Sequence, residues 1–236
     1  MADRFFLAEP PRDGRAVLRG EEAHHLMRVR RLGVGEQVEL FDGAGGGFRA
    51  VVRNLAKDAV ELAVGEPIPD RRLPLDLTLA TAVPKGERFD WLVEKATELG
   101  VARLVPLRTE RSSVDPRPSK LDRLRRVVIE ASKQCGRNRL MELSDPVDWP
   151  DWARSQTAAL RVLADPRGGG FPPVGRVSQA AVAIGPEGGF TTDEVALAES
   201  AGWLCARLGA TLLRIETAGL AACAAMLVGT TQETTG

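Results

Sequence analysis

Two short segments late in the chain carry residue types from which a ligand site can be built. They are Ile184-Gly185-Pro186-Glu187-Gly188-Gly189-Phe190 and, about twenty residues on, Leu208-Gly209-Ala210-Thr211-Leu212-Leu213-Arg214-Ile215-Glu216-Thr217-Ala218. Glycine lets the main chain come close to a bound molecule and present its N–H and C=O groups. The first segment lacks the Gly-Lys-Ser/Thr ending of a P-loop and the G-x-G-x-x-G spacing of a dinucleotide site, so a nucleotide-phosphate cradle is the weaker reading. Two such loops, carried on adjacent strands, would hold one small ligand largely through main-chain groups.

The elements that must position these loops follow from periodicity. Ala180 to Ile184 is a short apolar run, as expected of a buried parallel strand, and Thr191 to Ala201 reads as a helix opened by a capping box of Thr191 and Glu194. Upstream, Leu75 to Val83, a helix ending at Gly100, Val101 to Leu107, a helix over Leu121 to Cys135, and Leu160 to Ala164 alternate strand with helix, which implies a mostly parallel sheet covered by helices. On the helix Arg88 to Leu99, the residues Trp91, Leu92, Ala96 and Leu99 are expected on the buried face. Ile215 to Val228 is apolar and rich in alanine, suited to a closely packed last helix. The first part of the chain has a different texture. Arg15 to Arg19, Gln37 to Phe41, Phe48 to Arg53 and Ala59 to Val64 are short alternating runs between turns, the pattern of a small β-barrel, interrupted by a helix-like insert at Glu21 to Arg31. The proline-rich stretch Pro67 to Pro74 reads as a linker.

The two loop segments together resemble the cofactor loops of the SPOUT class of S-adenosylmethionine-dependent methyltransferases, and most closely the family that methylates N3 of a uridine in small-subunit (16S) ribosomal RNA. Further motifs in the family's order are Val83-Pro84-Lys85-Gly86-Glu87-Arg88, Trp91 to Val101, Glu130 to Arg137, Arg4-Phe5-Phe6, and His24 to Arg30; Cys135 stands where the family more often has serine. The resemblance implies an α/β fold: a SPOUT-type parallel-sheet methyltransferase domain (74–236) with a C-terminal trefoil knot, preceded by a small PUA-like β-barrel (1–70) that docks RNA. It also implies a homodimer and S-adenosyl-L-methionine as cofactor. The expected cofactor contacts are Leu163, Ile184, Gly185, Pro186, Gly188, Gly189, Leu208, Gly209, Leu213 and Thr217. Methyl transfer from a sulfonium needs no metal; it needs alignment and the loss of the imide proton. Arg214 is the candidate cation for the developing imide anion, and Glu187 and Glu216 are candidates for taking the proton or orienting that arginine.

Composition bounds the rest. The 236 residues sum to zero net charge, but Arg103 to Arg139 holds eleven Lys/Arg against four Asp/Glu. That local excess suggests a phosphate-contacting surface. The candidates for RNA contact are Arg126, Lys133 and Arg137 there, Lys85 and Arg88 at the Pro-Lys-Gly turn, and Arg4, Arg28, Arg30 and Arg31 in the small domain. The three cysteines, Cys135, Cys205 and Cys223, are too few and too scattered for a disulfide framework or zinc site, which argues for a reducing, cytoplasmic setting. No membrane span is expected. Other readings are a SPOUT methyltransferase acting on ribose 2′-O or transfer RNA, and a non-catalytic ribosome-assembly protein that kept the fold.

Overall fold

A computed structural model describes residues 3–228, which fall into two units. The first runs up to Arg72 and also takes in Ile129–Leu140; the second comprises Leu73–Val128 and the chain from Met141 onward.

In the first unit, five strands form one sheet: β1 (Arg4–Phe6), β2 (Arg15–Arg19), β3 (Gln37–Phe41), β4 (Gly47–Leu55) and β5 (Ala59–Ile68). Their order is β1-β3-β4-β5-β2, with β1 parallel to β3 and the other pairs antiparallel, so the expected barrel is a sheet with β1 and β2 at its edges. Alternation does the folding: in Arg15-Ala16-Val17-Leu18-Arg19, Ala16 and Leu18 are buried between exposed neighbours. They join Phe5, Leu26, Leu40, Val52, Val60 and Leu62 in one core. The helix-like insert consists of α1 (Gly20–His24) and a π-helical stretch, His25–Arg30, that stops at Arg31 in the left-handed region (φ 57°). Pro67 and Ile68 belong to β5 rather than to a linker.

The second unit is built on a fully parallel sheet. Its strands are β6 (Asp76–Ala82), β7 (Arg103–Arg108), β8 (Glu142–Leu143), β9 (Val147–Asp148), β10 (Leu160–Gly169), β11 (Gln179–Ile184) and β12 (Leu204–Ala206). The order is β12-β10-β11-β6-β7-β8, with β9 pairing β7. Helices α2 (Arg88–Leu99), α3 (Pro118–Cys135), α4 (Trp149–Ser155), α5 (Thr192–Ser200) and α6 (Ile215–Val228) are the further elements of the described residues, α3 continuing into the first unit at Ile129. α6 packs on α2, β6 and β11, closely at Gly219, where a Cβ would stand 3.3 Å from Leu92 Cδ1.

The buried face of α2 differs from the expected one. Phe89, Leu92, Val93, Ala96 and Thr97 are buried, whereas Trp91 is 46% exposed and Leu99 only partly covered. The helix turns this way because Thr97 can be buried: its Oγ1 donates to the Val93 carbonyl at 2.8 Å, which satisfies the hydroxyl inside the helix itself. Within Gly168-Gly169-Gly170 only the first glycine has a steric cause: a Cβ on Gly168 would lie 2.5 Å from the main chain of Cys205 and Ala206 on neighbouring β12, whereas one on Gly169 or Gly170 would meet nothing within 4 Å. All three cysteines are free thiols, and burial pushes the Cys205 thiol up to about 11 and raises that of Cys223 as well.

Candidate functional site

The strands that lead into the two expected loops, β11 and β12, are not adjacent: they flank β10, and the chain at the C-terminal ends of all three borders a cleft of about 510 Å³. This is where open parallel sheets bind ligands, and the volume suits a small molecule of nucleoside size. The walls are Ala164 to Arg167, Ile184 to Phe190, and Arg207 to Leu213, with Ile215, Ala218 and Arg111.

Each wall has a local reason for its shape. In the β11 loop, Phe190 is buried against Trp149, their ring centres 4.9 Å apart, and folds back under Gly185. A Cβ on Gly185 would stand 3.0 Å from that ring. The turn closes through Gly189 N–H donating to the Pro186 carbonyl at 2.8 Å, with Gly189 at φ 67°, a conformation that favours glycine. The capping box is present: Glu194 N–H donates to Thr191 Oγ1, and Thr191 N–H to Glu194 Oε2. The second carboxylate oxygen, Oε1, accepts from Glu110 N–H at 2.9 Å, so one buried side chain ties the loop after β7 to the start of α5.

The β12 loop is more open. A Cβ on Gly209 would meet nothing within 4 Å, and Thr211 to Arg214 are exposed, Leu212 by 83%. From β10, Asp165 is buried and takes two side-chain hydrogen bonds from Arg167, at 2.9 and 2.8 Å, which hold its carboxyl below the usual range against the opposing effect of burial.

A second, more open cleft of about 530 Å³ shares Leu212 and Leu213 with the first. Arg88, Trp91, Arg214, Glu216 and Thr217 complete its lining. Glu216 is buried and ion-paired with Arg88, Oε1 to Nη1 at 3.8 Å, rather than with Arg214.

The expected site residues therefore separate. Ile184, Gly185, Pro186, Glu187, Gly188, Gly189, Leu208, Gly209 and Leu213 line the first cleft. Leu163 does not: it is fully buried in the core with Val105, Phe190 and Trp203, and the lining begins one residue later at Ala164. Thr217, Arg214 and Glu216 line the second cleft, together with Arg88. Residues not anticipated from the sequence are Arg111, Asp165, Arg167 and Arg207. Their signal was positional only: Arg111 and Arg207 stand just beyond the ends of β7 and β12, and Asp165 and Arg167 in the second half of β10.

The basic stretch is largely neutralised. Arg103 pairs with Glu142, Arg108 with Asp115 and Asp148, Lys120 and Arg123 with Asp90, Arg125 with Asp122 and Asp145, and Arg139 with Asp70. Most of these acids lie outside the stretch in sequence, which is why a local count overstates the field. Lys133 is buried, its ammonium bonded to Glu22 and Glu130, and Arg4 is buried over the Phe41 ring, donating to Asn138 Oδ1 at 2.7 Å. Both are structural cations, not surface contacts for a polyanion, and burial lowers the Arg4 pKa. Arg137 is half-buried, and burial lowers its pKa too. Arg126 is exposed on α3, Arg30 pairs with Asp3, and Arg28, Arg31 and Lys85 are exposed. His25 packs edge-on against Phe5. Among the described residues no cluster of metal-ligating side chains occurs, and no helix is long and apolar enough to cross a membrane.

Comparison with known proteins places the chain in a family. A family model described as an RNA methyltransferase domain matches residues 71–227, and one described as an RNA methyltransferase PUA domain matches residues 18–64. Ribosomal RNA small subunit methyltransferase E of Synechocystis sp. is 35% identical over 228 residues, covering 92% of this chain and 75% of the relative. The Bacillus subtilis protein of that name is 31% identical, over 88% of this chain and 87% of its own. The crystal structure of the Neisseria gonorrhoeae protein of that name, bound to S-adenosyl methionine, superposes with a TM-score of 0.88 at 31% identity, covering 97% of this chain and 98% of that one.

Proposed function

We propose, from the premise that this chain belongs to the ribosomal RNA small subunit methyltransferase E family of RNA methyltransferases, that it methylates N3 of a uridine in small-subunit (16S) ribosomal RNA. The observation that carries this reading is the pair of clefts joined at Leu212 and Leu213, one walled by main chain and the other by two arginines, a carboxylate and an exposed indole.

S-Adenosyl-L-methionine fits the first cleft. The volume is adequate, Gly209 leaves main chain open to a ligand, and Ile184, Pro186, Leu208 and Leu213 offer apolar contact beside the polar groups of Gly185, Gly188 and Gly189. When bound, it supplies a sulfonium methyl group. The chain's own work is to hold the base with N3 aligned and to exclude water, which is where most of the rate arises in such transfers. Arg214 stabilises charge on the base carbonyls. Lys85, Arg28, Arg31 and Arg126 are the proposed phosphate contacts, the first unit serving as the RNA-docking PUA-like domain.

The reading includes a trefoil knot in the second unit and a homodimer. A dimer whose contact borders the second cleft is supported by exposed apolar side chains at the rim of that cleft and at the end of α6: Trp91, Leu212, Leu213 and Val228. Sedimentation of the full chain at micromolar concentration should report a dimer.

The decisive experiment is nucleoside mass spectrometry of small-subunit RNA incubated with the protein and methyl-labelled S-adenosylmethionine. Label in N3-methyluridine is the expected result. Label in a 2′-O-methyl nucleoside, or only in transfer RNA, would replace this specificity with another.

A further inference from the structure

We propose that Glu216 is the proton acceptor for the target base and that Arg88 is the residue that positions it; this rests on the uridine-N3 reading above. Glu216 stands in the first turn of α6, where unpaired main-chain N–H groups favour a negative charge. Its side chain is only 8% exposed. Among the described residues its one polar contact is Arg88, at a distance too long for a hydrogen bond, and Oε2 is buried with no hydrogen-bond partner. Folded proteins leave few buried acceptors unsatisfied, because the lost hydration is not recovered until something donates to them. This unsatisfied carboxylate is the acidic residue of the cleft that also holds Arg214 and Trp91. Glu187, the other carboxylate considered, is exposed and lines the cofactor cleft instead. Catalytic hydrogen bonds are often long before substrate binds and tighten in the complex, which is how the 3.8 Å gap to Arg88 is to be understood.

The step balances as follows. The imide N3–H bond breaks, its proton passing to a Glu216 carboxylate oxygen and its electron pair remaining on N3. That pair forms the N3–methyl bond while the sulfonium C–S bond breaks with its electrons going to sulfur. Glu216 then gives its proton to water. Arg214 stabilises the charge that spreads onto the base carbonyls, and Trp91 offers a stacking face.

The test compares wild type with Glu216→Gln in single-turnover methylation at saturating cofactor from about pH 6.5 to 9.5. At neutral pH the variant should be slower by about a hundredfold to ten-thousandfold, the usual loss for a general base. Its deficit should shrink by about tenfold per pH unit as the base ionises without help. Binding supplies a readout independent of turnover: small ribosomal subunits lacking the modification, and the same subunits after methylation by the wild-type protein, are titrated without cofactor. Wild type should prefer the unmodified subunits by about tenfold or more, since hydrogen bonds to charged groups are among the stronger ones. Glu216→Ala should bind both alike. Arg88→Ala should lower kcat at unchanged KM, with Arg88→Lys restoring most of it. A deficit constant across pH, with discrimination intact in Glu216→Ala, overturns the proposal while the uridine-N3 reading stands. A wild-type product other than N3-methyluridine overturns both.

Discussion

Arg111 Nη1 donates to the Gly188 carbonyl at 2.6 Å, and its Cδ stands 3.2 Å from where a Cβ on Gly188 would lie. The arginine thus packs on the β11 loop in the space that glycine leaves, as part of the cleft wall. Replacing Arg111 with Ala should weaken S-adenosylmethionine binding by a few-fold to about tenfold, the scale of one charge-assisted hydrogen bond at an exposed position. Calorimetry giving equal affinity for both proteins would remove Arg111 from the site.

Gly209 separates ligand contact from folding. A Cβ there meets no protein atom within 4 Å, so Gly209→Val should leave the melting temperature of the ligand-free protein within about 2 °C, as for a neutral surface change. Affinity for the cofactor should fall by about tenfold or more as the side chain enters the cleft. Undiminished binding would show that the β12 loop does not approach the ligand.

Glu194 accepts two main-chain N–H groups from different segments, so Glu194→Ala orphans both Thr191 and Glu110. The loss should be about 2–4 kcal/mol, against about 1 for Thr191→Ala, which removes only the other half of the capping box. Chemical denaturation that ranks the two variants equally would refute the bridging role.

Asp165 should carry a pH signature. Its folded pKa is depressed, chiefly by the Arg167 hydrogen bonds, so its stabilising contribution is present above the unfolded value of about 3.9 and is lost as pH falls through the lower folded value. Asp165→Asn should therefore be less stable than wild type near neutrality, with the gap closing below about pH 4. Denaturation midpoints showing a gap independent of pH would contradict the pairing.

Lys133 and Lys85 should behave as opposites. Lys133→Ala leaves Glu22 without its buried partner and should lower stability, by less than the roughly 3–5 kcal/mol of a fully buried pair, because Glu130 is largely exposed. The salt dependence of RNA binding should not change. Lys85→Ala should leave stability unaltered and reduce the slope of log affinity against log salt by about 0.7 to 0.9. A reduced slope in Lys133→Ala would restore it to the RNA surface.

What could be read from the sequence was set by how local its physical cause is. Alternation in Arg15 to Arg19, the left-handed Gly100 ending α2 at φ 100°, and the Thr191 and Glu194 capping box depend on neighbours within a few residues, and all three are present. The glycines of the β11 loop were legible for the same reason. Lys133 and Arg4 were not, because their partners Glu22 and Asn138 are distant in the chain. Thr97 was hidden by chemistry: a hydroxyl that bonds its own helix counts as polar in any pattern but packs as apolar. Asp165 reaches the cleft only through sheet order, which brings β10 between β11 and β12, and Arg111 comes from the loop after β7, two strands from β11.

That same order has a consequence for synthesis. Among the described residues β12 is the last strand made, yet it lies beside β10, and its loop is one wall of the cleft. A nascent chain that has emerged only as far as Ile184 carries the central strands β6, β7, β10 and β11 but no enclosed cleft. Affinity for small molecules then arises in one late step instead of growing with chain length. Because a ligand stabilises only the state that binds it, by RT ln(1 + [L]/Kd), cellular S-adenosylmethionine would reinforce finished chains and leave prematurely ended ones to proteolysis.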